Sequence, residues 1–287
     1  MHVITLKDGE FPILAFDTET TGIDALTDHI ITWGSSSSDD PEREEILQLP
    51  ETVTELDADN VAVHGYDMDK IAEIGKDRKE GLLEAFTLLD DFNDSTNGFI
   101  LGHNIVYDMT ILHSELMREK FINEAKKMDS WRVLDTLPIL EDSTLIGMFK
   151  TSLKLNYIAE TLDVDREILD NAHNAGADSK VAAALLEKIM VYFPHLTTYT
   201  SVEFMDYMRR CAQSSQNRKL AIFEDSKMVG YPVLVPIEQK AATENLHTDK
   251  RVEKKKRKAV VKTSRKSTSR AVRKTSRGTS SRLRKEL

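Results

Sequence analysis

Phe11-Pro12-Ile13-Leu14-Ala15-Phe16-Asp17-Thr18-Glu19-Thr20-Thr21-Gly22 is a short apolar run that ends in two acidic residues and a Thr-Thr-Gly turn. The apolar half reads as a buried strand over residues 12–16. In an extended chain, residues two apart project from the same face, so Asp17 and Glu19 are aimed at one point. Two carboxylates so placed repel each other, and the arrangement is costly unless a cation neutralises them. Hard oxygen donors favour Mg²⁺ or Mn²⁺. With 48 acidic residues among 287, one Asp-x-Glu pair is weak evidence, and its weight depends on the residues further along the chain.

Outward from this strand, Ile30-Ile31-Thr32-Trp33 and residues 45–49 read as two more strands, with the Gly34 and Ser35 to Pro41 cluster between them as a hairpin loop unable to pack a core. Residues 68–92 carry apolar positions at helical spacing, interrupted near Gly75 and Gly81, which predicts two helices meeting there. Residues 99–101 form a strand that delivers a loop and then a helix from Asp108 onward. Residues 131–134 read as a further strand, and residues 153–162 and 178–193 as helices. The sum is a mixed α/β domain over residues 1–195. Residues 196–249 read as a small extension, with helical spacing over 202–211 and strands over 220–223 and 233–235.

The net charge of −9 conceals a division. Residues 250–287 hold 17 basic and 2 acidic side chains, which leaves 22 basic and 46 acidic in residues 1–249. Like charges at the tail's density repel and cannot be packed, so this end reads as a disordered, solvated segment rich in Lys, Arg, Ser and Thr. It repeats Thr-Ser-Arg at Thr263, Thr268 and Thr275, and it contains no Phe, Tyr or Trp. Phosphate contact that is sequence-independent and weakened by salt is therefore its expected mode, without base stacking. A solubilising role, a contact with an acidic partner, or nuclear import through Lys254, Lys255, Lys256, Arg257 and Lys258 in a eukaryotic host stand beside that reading.

One cysteine, Cys211, excludes an internal disulfide framework and a cysteine-rich zinc site, and it reads as a packed small residue. The N-terminal residues 1–16 do not read as a secretory signal, and no apolar run reaches the ~18 residues of a membrane helix. A cytoplasmic protein without membrane contact is expected.

The ordered set downstream consists of Asp108 in Gly102-His103-Asn104-Ile105-Val106-Tyr107-Asp108, and of His173 and Asp178 in His173-Asn174-Ala175-Gly176-Ala177-Asp178. With Asp17 and Glu19, these residues resemble the three motifs of the DEDDh branch of 3′-to-5′ exonucleases, the group that includes the proofreading subunits of bacterial replicative polymerases. The resemblance spans about residues 11–193, and all five functional positions of the branch are matched in order. Val63-His64-Gly65-Tyr66-Asp67 is similar to a histidine-glycine motif many members carry, where Ile is usual at the position of Tyr66.

The resemblance implies a ribonuclease-H-like fold, a mixed five-stranded sheet flanked by helices. It implies that Asp17, Glu19, Asp108 and Asp178 hold two Mg²⁺ or Mn²⁺ ions and that His173 takes the proton from an attacking water. Thr20, Thr21 and Gly22 would line the path of the terminal nucleotide, with His103 and Asn104 on a loop that approaches it. The bland reading of Asp108 and Asp178, acidic residues at helix starts, is compatible with this role.

Three functions stand as expectations. The first is 3′-to-5′ hydrolysis of DNA, alone or with a polymerase partner chain, since no polymerase, helicase or editing module is recognisable. The second is the same chemistry on RNA, and DNA is favoured because Asp17 to Gly22 resembles proofreading members more closely. The third is a non-catalytic nucleic-acid-binding scaffold acting through its basic tail, which the intact carboxylate set argues against.

Overall fold

The computed structural model describes residues 2–40, 42–141, 152–170 and 174–214, all within one unit spanning Met1–Leu234. His173, the strands expected over 220–223 and 233–235 and the basic tail lie outside the described residues.

The chain runs β1 (Val3–Leu6), β2 (Gly9–Thr20), β3 (Ile30–Ser36), β4 (Arg43–Ile46), α1 (Ala58–His64), α2 (Met68–Ile74), α3 (Arg78–Ser95), β5 (Phe99–Gly102), α4 (Val106–Arg118), α5 (Ile122–Lys127), β6 (Val133–Asp135), α6 (Thr136–Glu141), α7 (Leu155–Thr161), α8 (Arg166–Leu169), α9 (Ala175–Tyr192) and α10 (Ser201–Ser214). The mixed sheet has the order β4-β3-β2-β5-β6. β3 is antiparallel to both β2 and β4, whereas β2, β5 and β6 are parallel. β1 adds a sixth strand, a hairpin partner to the first half of β2.

β2 is central because helices cover both of its faces, and its run Ile13-Leu14-Ala15-Phe16 is buried throughout. Ile13 and Ala15 join Phe99, Leu101 and Leu134 in one core with α7, α9 and α10. Leu14 and Phe16 join Trp33, Ile100 and Val133 in a second core with α3 and α4. Residues that neighbour one another across the ladder thus enter the same layer, as the pleat requires.

Helix starts follow local capping chemistry. The Asp77 side chain accepts from the Glu80 N–H to open α3, so the two helices expected over 68–92 meet at Gly75-Lys76-Asp77. α9 begins three residues before Asp178, where the Asn174 side chain accepts from the Ala177 N–H. α10 occupies the segment read as helical over 202–211, and its Phe204, Tyr207, Met208 and Cys211 enter the first core.

Two expectations are corrected. Gly81, read as a helix interruption, lies buried inside α3. Gly34, Ser35 and Ser36 are not loop residues but the buried second half of β3. At Gly34 α9 lies directly on the strand: a Cβ there would stand 2.1 Å from the Ala175 carbonyl carbon and the Gly176 nitrogen. The turn comes later, where the Ser37 N–H donates to the Asp40 carbonyl.

Among the described residues, no helix is long and apolar enough to cross a membrane.

Candidate active site

The end of β2 sends polar groups to both helical layers. Asp17 and Glu19 face α9, and there one carboxylate oxygen from each lies within 4.8 Å of one from Asp178 in the first turn of that helix. Thr18 faces the other way, and its hydroxyl donates to the Asp108 carboxylate at 2.6 Å. Asp108 is buried in the first turn of α4, the helix that β5 delivers. A register shift between Glu19 and Thr20 interrupts the β2–β3 ladder beside the site, and pairing resumes at Thr20 and Ile30.

Three of the four carboxylates are raised above their ordinary range. Burial, then the charges of Asp108, Asp178 and Glu19, push the Asp17 carboxyl well above the usual carboxylate range. Burial, then Asp178, Asp108 and Glu44, push Glu19 up to about 8. Burial also raises Asp108, against the opposing Thr18 hydrogen bond, to about 7. Among the described residues, no Lys or Arg forms an ion pair with Asp17, Glu19 or Asp108. Clustered hard oxygen donors with so strong a preference for protons fit a divalent cation, and Asp17, Glu19 and Asp178 could hold one.

The turn after β2 is tied down at every step. The Thr20 and Tyr107 hydroxyls both donate to the Gly22 carbonyl, at 2.7 and 2.5 Å. Thr21 donates to Asp28 at 3.1 Å, and the Asn60 amide donates to the Thr21 carbonyl at 2.8 Å. Gly22 lies against the Asp28 carboxylate, 2.5 Å from where a Cβ would stand. The segment expected to meet a terminal nucleotide is therefore preorganised beside Glu19.

His103 and Asn104 sit on the loop between β5 and α4. The His103 Nε2–H donates to the Leu153 carbonyl at 2.7 Å, and its Nδ1 is hydrogen-bonded to the Thr136 hydroxyl at 2.8 Å. Both ring nitrogens thus serve the fold. Asn104 takes a left-handed φ of 65°, and its backbone N–H donates to Asp135 at 2.9 Å.

Four residues beyond the motif positions shape the site: Thr18, Glu44, Tyr107 and Asp135. Tyr107 and Thr18 are visible only as neighbours of motif carboxylates. Asp135 accepts from the Asn104 and Leu137 N–H groups and raises Asp108 through its charge. Its local signal is an Asp that ends a strand and immediately precedes a helix start. Glu44 carries no sequence signal, because only strand register brings it here.

No protein-family model and no curated protein matches the sequence. Solved structures do. A product-bound structure of exonuclease I aligns with a TM-score of 0.55 at 14% identity, covering 69% of this chain and 46% of that one. The zinc-bound E. coli exonuclease I complex with single-stranded DNA aligns at 0.54 and 16%, covering 69% and 43%. The E. coli exonuclease I complex with a dT13 oligonucleotide aligns at 0.54 and 16%, covering 71% and 46%. The chain spans less than half the length of these proteins. At this identity the likeness is one of fold, a ribonuclease-H-like α/β architecture, with this chain's own acidic cluster set in it.

Proposed function

We propose that this chain is a divalent-metal-dependent exonuclease that removes nucleotides from the 3′ end of nucleic acid, DNA in preference to RNA, releasing nucleoside 5′-monophosphates. The observation that carries the reading is the convergence of Asp17, Glu19 and Asp178 within 4.8 Å at the end of the central strand. The exonuclease fold and the five-residue resemblance support it.

Bound Mg²⁺ or Mn²⁺ would supply an acidified water, charge neutralisation on the phosphoryl oxygens and stabilisation of the leaving 3′ oxygen. Asp17 and Glu19 on β2 and Asp178 on α9 are the proposed ligands. Asp108, oriented by Thr18, completes the set from the α4 side. His173 stands five positions before Asp178 in the sequence, and we assign it the proton of the attacking water, a role its reference pKa of ~6.5 suits near neutrality. Thr20, Thr21 and Gly22 offer a fixed wall for the terminal nucleotide. The basic residues 250–287 act as an electrostatic tether for nucleic acid beside an acidic body.

The test uses 5′-labelled single-stranded DNA and RNA of one sequence, incubated with Mg²⁺, Mn²⁺ or EDTA, alongside Asp17→Ala and Asp178→Ala. A metal-dependent ladder shortening from the 3′ end is expected, with each variant slowed more than the roughly 10–100-fold typical of residues that merely support metal ligands. The relative rates on the two substrates give the sugar preference. Intact substrates under all conditions, with retarded mobility on a native gel, would leave the scaffold reading in place.

A further inference from the structure

We infer that Glu44 is a positioning residue for the metal site, one that sets where Asp178 stands relative to Asp17 and Glu19. The inference rests on the metal-site reading above and assigns a role to a residue outside the motif set.

Strand register places Glu44 there. Asp17 on β2 is paired with Gly34 on β3, and Gly34 with Glu44 on β4. Residues directly opposed across an antiparallel ladder project from one face, so Asp17 and Glu44 share the face that α9 covers. Gly34 lies between them with no side chain, and the Ala175-Gly176 backbone fills that space. Glu44 therefore reaches the start of α9 across a gap that any larger residue at 34 would close.

Both Glu44 oxygens are engaged. Oε1 accepts from the Ala175 N–H at 3.2 Å, and Oε2 accepts from the Tyr66 hydroxyl at 3.0 Å. The Ala175 N–H is one of the open donors that every helix start leaves without an intrahelical partner. The Asn174 side chain satisfies the Ala177 N–H from within the helix cap. Glu44 satisfies the Ala175 N–H from the sheet, so it ties the helix start to β4.

Asp178 is three residues along the same turn. Rotation or sliding of α9 would carry its carboxylate away from those of Asp17 and Glu19, and the Glu44 contact opposes that movement. The Tyr66 hydroxyl holds the second oxygen, and Lys70 packs over the Tyr66 ring with its ammonium 4.2 Å from the centroid. Glu44 is thereby held at both oxygens. A fifth carboxylate acts electrostatically on Glu19, and these two hydrogen bonds hold it in place without its serving as a ligand.

The experiment is calorimetric titration of Mn²⁺ into the full-length protein without nucleic acid, paired with thermal melts in EDTA. Glu44→Ala should weaken Mn²⁺ binding roughly tenfold or more, the range for residues that orient metal ligands. Glu44→Gln keeps an oxygen for the Ala175 N–H and should stay within about threefold of the parent, well inside that range. Ala175→Pro removes the donor at a position where proline suits a helix start, and Asn174 before it is already extended at φ −140° and ψ 159°. It should reproduce the Glu44→Ala loss and add nothing to it in the double variant, which keeps the test decisive even where Glu44→Ala fails to fold. Parent-like Mn²⁺ affinity in Glu44→Ala with only a lower melting temperature, or Glu44→Gln as weak as Glu44→Ala, would overturn the positioning role. Asp17→Asn is the control: if it binds Mn²⁺ like the parent, the metal-site reading fails as a whole, whereas its loss beside an unaffected Glu44→Ala removes Glu44 alone.

Discussion

Gly34 on β3 and Ala175 at the start of α9 meet through backbone alone, with no room for a methyl group between them. Helix α9 carries Asp178, and β3 lies beside the strand that carries Asp17 and Glu19, so this contact sets the width of the carboxylate cluster.

Gly34→Ala should therefore act on stability and on the site together. Overpacking costs about 1–3 kcal/mol, and each kcal/mol lowers the melting temperature of a domain this size by roughly 2–4 °C. The melting temperature in EDTA should fall accordingly, and the stabilisation produced by Mn²⁺ should shrink. Scanning melts with and without Mn²⁺ check both, and a variant matching the parent in both would show that α9 is free to lift from the sheet.

The metal-free protein should lose stability as pH rises. Glu19 and Asp108 have folded pKa values of about 8 and about 7, above their ordinary values of 4.5 and 3.8. Between the ordinary and the folded values, the folded state binds more protons than the unfolded chain, so stability falls with pH. The contribution is fully present below about pH 4 and lost through pH 7 to 8. Added Mg²⁺ should restore stability most strongly at the alkaline end, with proton release on binding. Melts in EDTA and in Mg²⁺ from pH 5 to 9 give the comparison, and an EDTA curve that rises over this range contradicts the cluster's electrostatics.

Glu115, two turns after Asp108 on α4, anchors the turn that comes after β2. It is 1% exposed, and His29 and Arg118 reach it at 2.8 and 2.7 Å, with Arg78 also paired to it. Burial pushes its carboxyl up, but hydrogen bonds from His29 and Arg78 and the charges of Arg78 and Arg118 outweigh this and hold it near about 2. Arg118 continues to the Leu26 and Asp28 carbonyls at 2.7 and 2.5 Å. Glu115→Gln leaves buried guanidinium charge without its partner and should cost about 3–5 kcal/mol. Urea denaturation reads that loss, and hydrogen exchange should show residues 22–28 opening first. An unchanged urea midpoint would mean the network contributes nothing net.

Truncation after Thr248 removes 17 of the 39 basic residues, all of them between 250 and 287. Affinity for single-stranded DNA at low salt should drop, and the slope of log affinity against log salt should flatten by about 0.7 for each phosphate that the tail no longer neutralises. Turnover of a saturating oligonucleotide should be spared. Fluorescence anisotropy over a salt series reads the slope, and an unchanged slope assigns the phosphate contacts to the folded body.

Much of this molecule is legible along the chain. The strand ending at Asp17 and Glu19, the helix break at Gly75 to Asp77 and the acidic helix starts at Asp108 and Asp178 all rest on local rules: alternation, helical spacing and capping. The strand β1 escapes them because Val3–Leu6 is too short to show a period. The second half of β3 misleads them, because Gly34, Ser35 and Ser36 have loop-like composition, yet the strand pairing buries all three and Gly34 lies against a distant helix that leaves no room for a side chain.

The carboxylates themselves are therefore a property of the chain, since each lies in a short motif whose chemistry its neighbours declare. Their convergence is a property of the tertiary structure. Asp17 and Asp178 are separated by most of the domain, and β-ladder register, the gap at Gly34 and the docking of α9 bring them together. The same register puts Glu44 in line with Asp17 through Gly34, and packing after the sheet commits both ring nitrogens of His103 to structural hydrogen bonds. Local sequence encodes conformational preference through interactions a few residues in reach, whereas these placements depend on contacts that exist only after the sheet has paired and the helices have packed on it.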